Sequence, residues 1–100
     1  MDSMLLFIIV SLLIWMNNPE ILLANVTKLK TTELGVVRIK RNLNLEVIDV
    51  VEWCKEFVLN PESEITRTGK NWYVSLDGVT LTINASSYTI ITAHKKKSTR

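Results

Sequence analysis

Hydrophobic and polar residues alternate over Trp72–Leu76 and again over Val79–Ala85. Trp72, Val74 and Leu76 fall on one side of the first run, with Tyr73 and Ser75 between them. Val79, Leu81, Ile83 and Ala85 share a side of the second, with Thr80, Thr82 and Asn84 opposite. A period of two over this length predicts strands. Asp77-Gly78 separates the runs and suits a two-residue hairpin turn, whose central residues both take positive φ. Beyond Ser86-Ser87 the alternation resumes over Tyr88–Lys95. Here Tyr88, Ile90, Thr92 and His94 face one way, and Thr89, Ile91, Ala93 and Lys95 the other. Ile90 and Ile91 compete for the buried side, which leaves the register of this strand open. Gly69-Lys70 marks a further turn, and Ser63–Thr68 before it reads as an edge strand. The result is an antiparallel meander with one apolar face and one threonine-rich face. Burying the apolar face contributes roughly 1.5–3 kcal/mol per large side chain, and that gain needs a covering layer.

The upstream chain changes period and supplies that layer. Asn18-Pro19-Glu20 combines a capping residue, a proline suited to the first helical position and an acid at the positive dipole end. Leu22, Leu23, Val26 and Leu29 follow, so the spacing predicts a helix from Pro19 to about Leu29. A second helix starts at Thr31-Thr32-Glu33 with either threonine as cap. Its apolar contacts are Leu34, Val37 and Ile39 or Leu43. Gly35 weakens it by about 1 kcal/mol relative to alanine, or permits close approach of another element. The clearest helix is Glu46–Leu59. Val47, Val51, Cys54 and Val58 form its stripe, widened by Val50 and Phe57, while Glu46, Asp49, Glu52 and Glu56 line the other side. Asn60-Pro61 stops it. The fold class is α+β: two to three N-terminal helices packed on one face of a three- to four-stranded antiparallel β-meander.

Length and composition fit one small domain, taken as 17–97, with 98–100 as the end of a basic tail. Met4–Met16 does not resemble the rest. Thirteen apolar-rich residues are too few to span a bilayer as a helix, which takes roughly 20. The length suits a signal-peptide core, but Asp2 precedes it where positive charge belongs. Residues 1–16 are therefore read as a hydrophobic extension: a translation start set too far upstream, a signal or short anchor, or a buried N-terminal element. A start at Met16 implies a cytoplasmic protein. Retention or cleavage of 4–16 implies a membrane-anchored or secreted one, and only retention brings a membrane partner.

The net charge of +2 is unevenly spread. Lys28, Lys30, Arg38, Lys40 and Arg41 against Glu33 give Lys28–Arg41 a net +4. Asn42–Thr66 carries six acids against Lys55, a net −5. Arg67–Arg100 is +5, mostly from the tail. The two central segments are complementary, which suits a protein partner or a homodimer. Arg38, Lys40 and Arg41, with Lys95, Lys96 and Lys97, are the candidate nucleic-acid-binding residues. Trp72, Tyr73 and Tyr88 are candidates for stacking bases on an exposed sheet face.

Four segments carry a family resemblance. They are Leu29–Leu43 (LKTTELGVVRIKRNL), Asp49–Val58 (DVVEWCKEFV), Ile65–Val74 (ITRTGKNWYV) and Ile83–Lys95 (INASSYTIITAHK). They resemble a bacterial family named only as domain of unknown function 3781, over about Asn17–Lys97. Met1–Trp15 has no counterpart in it. The resemblance implies a compact intracellular bacterial domain. It brings no activity, so no catalytic residue is transferred.

Chemistry is sparse. A metal site wants about three or four ligands, and His94 and Cys54 are the only histidine and cysteine. Neither a metal nor a cofactor is expected, and the three glycines form no phosphate-binding fingerprint. A Cys54–His94 nucleophilic pair requires helix and last strand to pack together, and lacks an orienting third residue. Asp49, Glu52 and Glu56 on one helical face read as solvated. The leading functional reading is a non-enzymatic binding or regulatory module with a protein or nucleic-acid partner. The alternatives are a small enzyme or enzyme subunit with a site near Lys70, Tyr73 and His94, and a secreted or membrane-anchored small protein.

Overall fold

A computed structural model describes residues 18–96. The hydrophobic extension 1–16, Lys97 and 98–100 lie outside the described residues. Helix α1 (Pro19–Ala24) starts as its sequence dictates: Asn18 Oδ1 accepts the Glu20 N–H at 2.9 Å, and Pro19 opens the first turn. It is shorter than the sequence spacing predicts. The Asn25 side chain donates back to the Ile21 carbonyl at 2.7 Å, its backbone leaves helical geometry, and Val26–Lys28 continues only as a 3-10 turn. Helix α2 (Glu33–Leu43) is capped by Thr32, whose hydroxyl accepts the Gly35 N–H, and ends on Asn44 in the left-handed conformation. Helix α3 (Val50–Leu59) is capped by Asp49, which accepts from the Glu52 N–H at 3.0 Å. It therefore begins four residues after Glu46. Asp49 is an N-cap and no member of an acidic face.

Strands β1 (Glu64–Thr68), β2 (Asn71–Leu76), β3 (Val79–Asn84) and β4 (Ile90–Lys95) form an antiparallel meander in that order. Asp77 and Gly78 take φ of 51° and 80°, the values a two-residue hairpin turn demands. Cross-strand partners share a face. The pairs Trp72–Ile83 and Val74–Leu81 put these four residues, all fully buried, under the helices. Tyr73, Thr82 and Thr92 sit in register on the other face, and so do Ser75, Thr80 and His94. The helices thus cover the Trp72 face, leaving the threonine-rich face without a helix among the described residues.

The last strand resolves the competition between its two isoleucines. Ile83 faces Ile90 while Thr82 faces Thr92, so Ile91 is an extra residue in β4. Ile90 goes into the core and Ile91 is pushed out to 39% exposure. The bulge inverts the alternation after it. Thr92 and His94 lie on the open face and Ala93 in the core, so Ile90 does not share a face with Thr92.

Helix α2 is tied to β4 at both ends. Lys30 accepts the Ile90 N–H at 2.7 Å and donates to the Tyr88 carbonyl at 3.1 Å. The Thr31 hydroxyl donates to the Ile90 carbonyl at 2.9 Å, and Asn42 Nδ2 donates to the Ala93 carbonyl at 3.0 Å. These bonds satisfy polar groups on the edge of β4 that would otherwise invite a further strand. Helix α2 turns Gly35, Ile39 and Leu43 inward. Leu34 and Val37 are 66% and 55% exposed, contrary to the contacts their hydrophobicity suggests. The reason lies at Gly35. A methyl group there would overlap the Thr31 hydroxyl and crowd its Cβ. A side-chain-free position lets Thr31 fold over the helix and reach β4.

Gly35→Ala is therefore expected to destabilise the protein by about 1–3 kcal/mol, reversing the gain of about 1 kcal/mol that helix propensity alone would bring. Urea unfolding midpoints of the two proteins check it. A neutral or stabilised variant would show that Thr31 can turn away at no cost.

Candidate functional site

The 3.6-residue period decides which side chains of α2 meet solvent. With Gly35, Ile39 and Leu43 on the sheet side, Leu34, Val37, Arg38 and Arg41 share the outer side, at i, i+3, i+4 and i+7. Lys40 is half-buried at the flank, and Lys40 and Arg41 occupy the last turn, where positive charge is favoured by the helix dipole. The Asn42 bond to Ala93 sets this end of α2 beside the end of β4. Lys95 and Lys96 are exposed there, and the Lys96 N–H donates to the Gly78 carbonyl at 2.7 Å. Two basic segments more than fifty residues apart thus meet at one corner of the fold. None of Arg38, Lys40, Arg41, Lys95 and Lys96 forms an ion pair among the described residues. Arg38 and Arg41 direct their charge to solvent beside the exposed Leu34 and Val37.

Helix α3 presents the opposite chemistry. Val50, Cys54, Phe57 and Val58 are buried in the common core. Glu52, Glu56 and the 52% exposed Leu59 form the outer side, and the fully exposed Ile48 precedes the helix. The outer surface of the helical layer is therefore basic and apolar on α2, acidic and apolar on α3. The sequence alone signals this only if Gly35 is counted as an inward position. Gly35, Ile39 and Leu43 then make a clean i, i+4, i+8 stripe.

Other residues singled out from the sequence do not converge. Lys70 lies in the turn before β2, whereas His94 faces Thr80, whose other neighbour is Ser75 near the far end of β2. Five residues along the strand and two strand spacings separate Lys70 from His94 by about 20 Å of backbone. Tyr73 shares the open face with His94 but stands two residues and two strands away, about 12 Å. Cys54 is fully buried on the helix side, while His94 is exposed on the opposite face, so the two form no pair. Burial pushes the Cys54 thiol from 9.0 up to about 12, which keeps it protonated and non-nucleophilic.

Trp72 has no exposed surface and is unavailable for base stacking; Tyr88 is half-buried with Lys28 Nζ 5.7 Å from its ring centre. The concavity lined by Glu62, Glu64, Ser75, Leu76, Asp77 and Gly78, about 380 Å³, is wide open and acidic. Among the described residues no group of histidine, cysteine and carboxylate side chains is arranged to hold a metal ion, and no helix is long and apolar enough to cross a membrane.

A family model described as protein of unknown function (DUF3781) matches residues 23–94. No curated protein and no solved structure matches the chain.

Proposed function

The chain belongs to the DUF3781 family, and from that premise we propose that it is a binding module without chemistry of its own, docking an acidic protein surface on the outer face of α2. One observation carries this reading: Leu34 and Val37, exposed to 66% and 55%, sit beside Arg38 and Arg41 on that face. Protein interfaces combine an apolar centre with flanking arginine, and a face with two arginines against the single acid Glu33 favours an acidic partner. A nucleic-acid site would use the same arginines and Lys95 and Lys96, but it has no use for two exposed aliphatic side chains at its middle. A catalytic site at Lys70, Tyr73 and His94 lacks support from geometry, since the three stand far apart.

The test is photo-crosslinking in the host cell, with a photoreactive residue at Val37 and, as a control, at Tyr73 on the open sheet face. The expected result is a protein adduct from position 37 whose linked segment is acidic, lost when Arg38→Glu and Arg41→Glu are added. Nuclease-sensitive adducts, or protein adducts from position 73 alone, would overturn the reading.

A further inference from the structure

The acidic surface that fits α2 is present on the same molecule. Helices α2 and α3 are neighbours in one layer. Along α2 the outer residues start with Glu33 in the first turn and then run apolar to basic: Leu34, Val37, Arg38, Arg41. Along α3 they run apolar, acidic, acidic, apolar: Ile48, Glu52, Glu56, Leu59. Within one chain these outer faces point away from the sheet side by side and cannot meet.

Resting on the docking face proposed above, we propose that the partner is a second copy of this chain. The two copies pack helical layer to helical layer, with α2 of each against α3 of the other. A two-fold axis between the layers makes both contacts at once, as an isologous dimer requires. Leu34 then leaves water against Leu59 of the other copy, with Val37 one turn along beside that contact. Arg38 and Arg41 meet Glu52 and Glu56, and opposite-sign arrays of this kind fix register as well as affinity. Glu52 and Glu56 repel at i, i+4 within one helix, and a pair of arginines across the interface relieves that repulsion.

Charge reversal tests the pairing directly. Sedimentation velocity of the full chain over a concentration series should show a monomer–dimer equilibrium that weakens as salt is added. Arg38→Glu with Arg41→Glu should raise the dissociation constant by at least about 100-fold, because like charges then face each other. Glu52→Arg with Glu56→Arg should do the same. Mixing the two variants should restore a dimer, since every reversed helix then finds a complementary one. That rescue also separates this interface from association through residues 4–16, which the substitutions leave alone. All four positions are exposed, and thermal melts verify that each variant folds; where one does not, Val37→Asp replaces it as the disrupting change.

A wild-type chain that stays monomeric, a dimer indifferent to either reversal, or a mixture that fails to pair would overturn the proposal. The crosslinking result distinguishes the two readings. An adduct of twice the chain mass supports both, whereas an adduct with a different acidic protein leaves the docking face standing and removes the dimer.

Discussion

Trp72→Ala is expected to cost about 3–5 kcal/mol, the range for truncating a buried aromatic residue. Trp72 sits on β2, an interior strand, directly opposite Ile83, and has no exposed surface. The Arg67 guanidinium stands 5.4 Å from the ring centre and closes the β1 side. Stabilities of small domains run about 5–15 kcal/mol, so this one truncation removes a large part of the total. At about 4–8 °C per kcal/mol for a chain of this size, the melting temperature should fall by at least about 12 °C.

A second substitution refines the prediction. Trp72 Nε1–H is buried without an acceptor among the described residues. Trp72→Phe removes that donor and keeps an aromatic ring. Relief of the unpaired group, worth about 1–3 kcal/mol, offsets part of the lost volume. The phenylalanine variant should therefore lie much nearer the wild type than the alanine variant in urea unfolding. A loss below about 1 kcal/mol for Trp72→Ala would contradict burial of this face. Equal losses for the two variants would mean that the indole N–H holds a bond the protein needs.

Alkaline stability should depend on one thiol. Burial raises Cys54 from 9.0 to about 12 in the folded protein. Below pH 9 the thiol is protonated whether the chain is folded or not, and folding bears no penalty. Above pH 9 the unfolded chain releases the proton while the folded one retains it. Stability then falls by about 1.4 kcal/mol for each further pH unit and levels off near pH 12. The total approaches about 4 kcal/mol. Cys54→Ala removes this dependence, whatever constant cost its smaller side chain brings. Urea midpoints of wild type and variant at several values between pH 8 and pH 12 should converge as pH rises. Parallel curves would show that Cys54 reaches solvent in the native state. A thiol reagent provides the kinetic counterpart: it should label Cys54 only when the chain opens.

The parts of this protein that its sequence determined by itself are those set within a few residues. Asn18, Thr32 and Asp49 cap helices because each is a short polar side chain placed two or three residues before an orphan N–H. Asp77-Gly78 makes its turn because both positions tolerate positive φ, and Pro61 stops α3 for an equally local reason. The period-two runs identified the strands, and Trp72, Val74, Leu81 and Ile83 identified the face that needs cover. The basic and acidic segments could be read off directly, so the chemistry of the candidate surface was visible as composition.

Its arrangement was decided by bonds that reach across the chain. Ile90 rather than Ile91 enters the core because Lys30 and Thr31 hold the Ile90 backbone, fifty-nine residues from Thr31. No alternation pattern can show a bulge pinned by such a distant partner. Leu34 and Val37 look like core residues by hydrophobicity. The close approach of Thr31 to Gly35 orients α2 with those two outward. Asn25 cut α1 short by bonding its own helix, a competition between side chain and backbone that apolar spacing does not register. The separation of Lys70 from His94, and the placing of the end of α2 beside the end of β4, likewise follow from strand pairing and from the Asn42–Ala93 bond. Local sequence chose the elements because capping, turns and periodicity act over one to four residues. Only tertiary packing could choose which faces meet, because that choice compares the burial of whole surfaces.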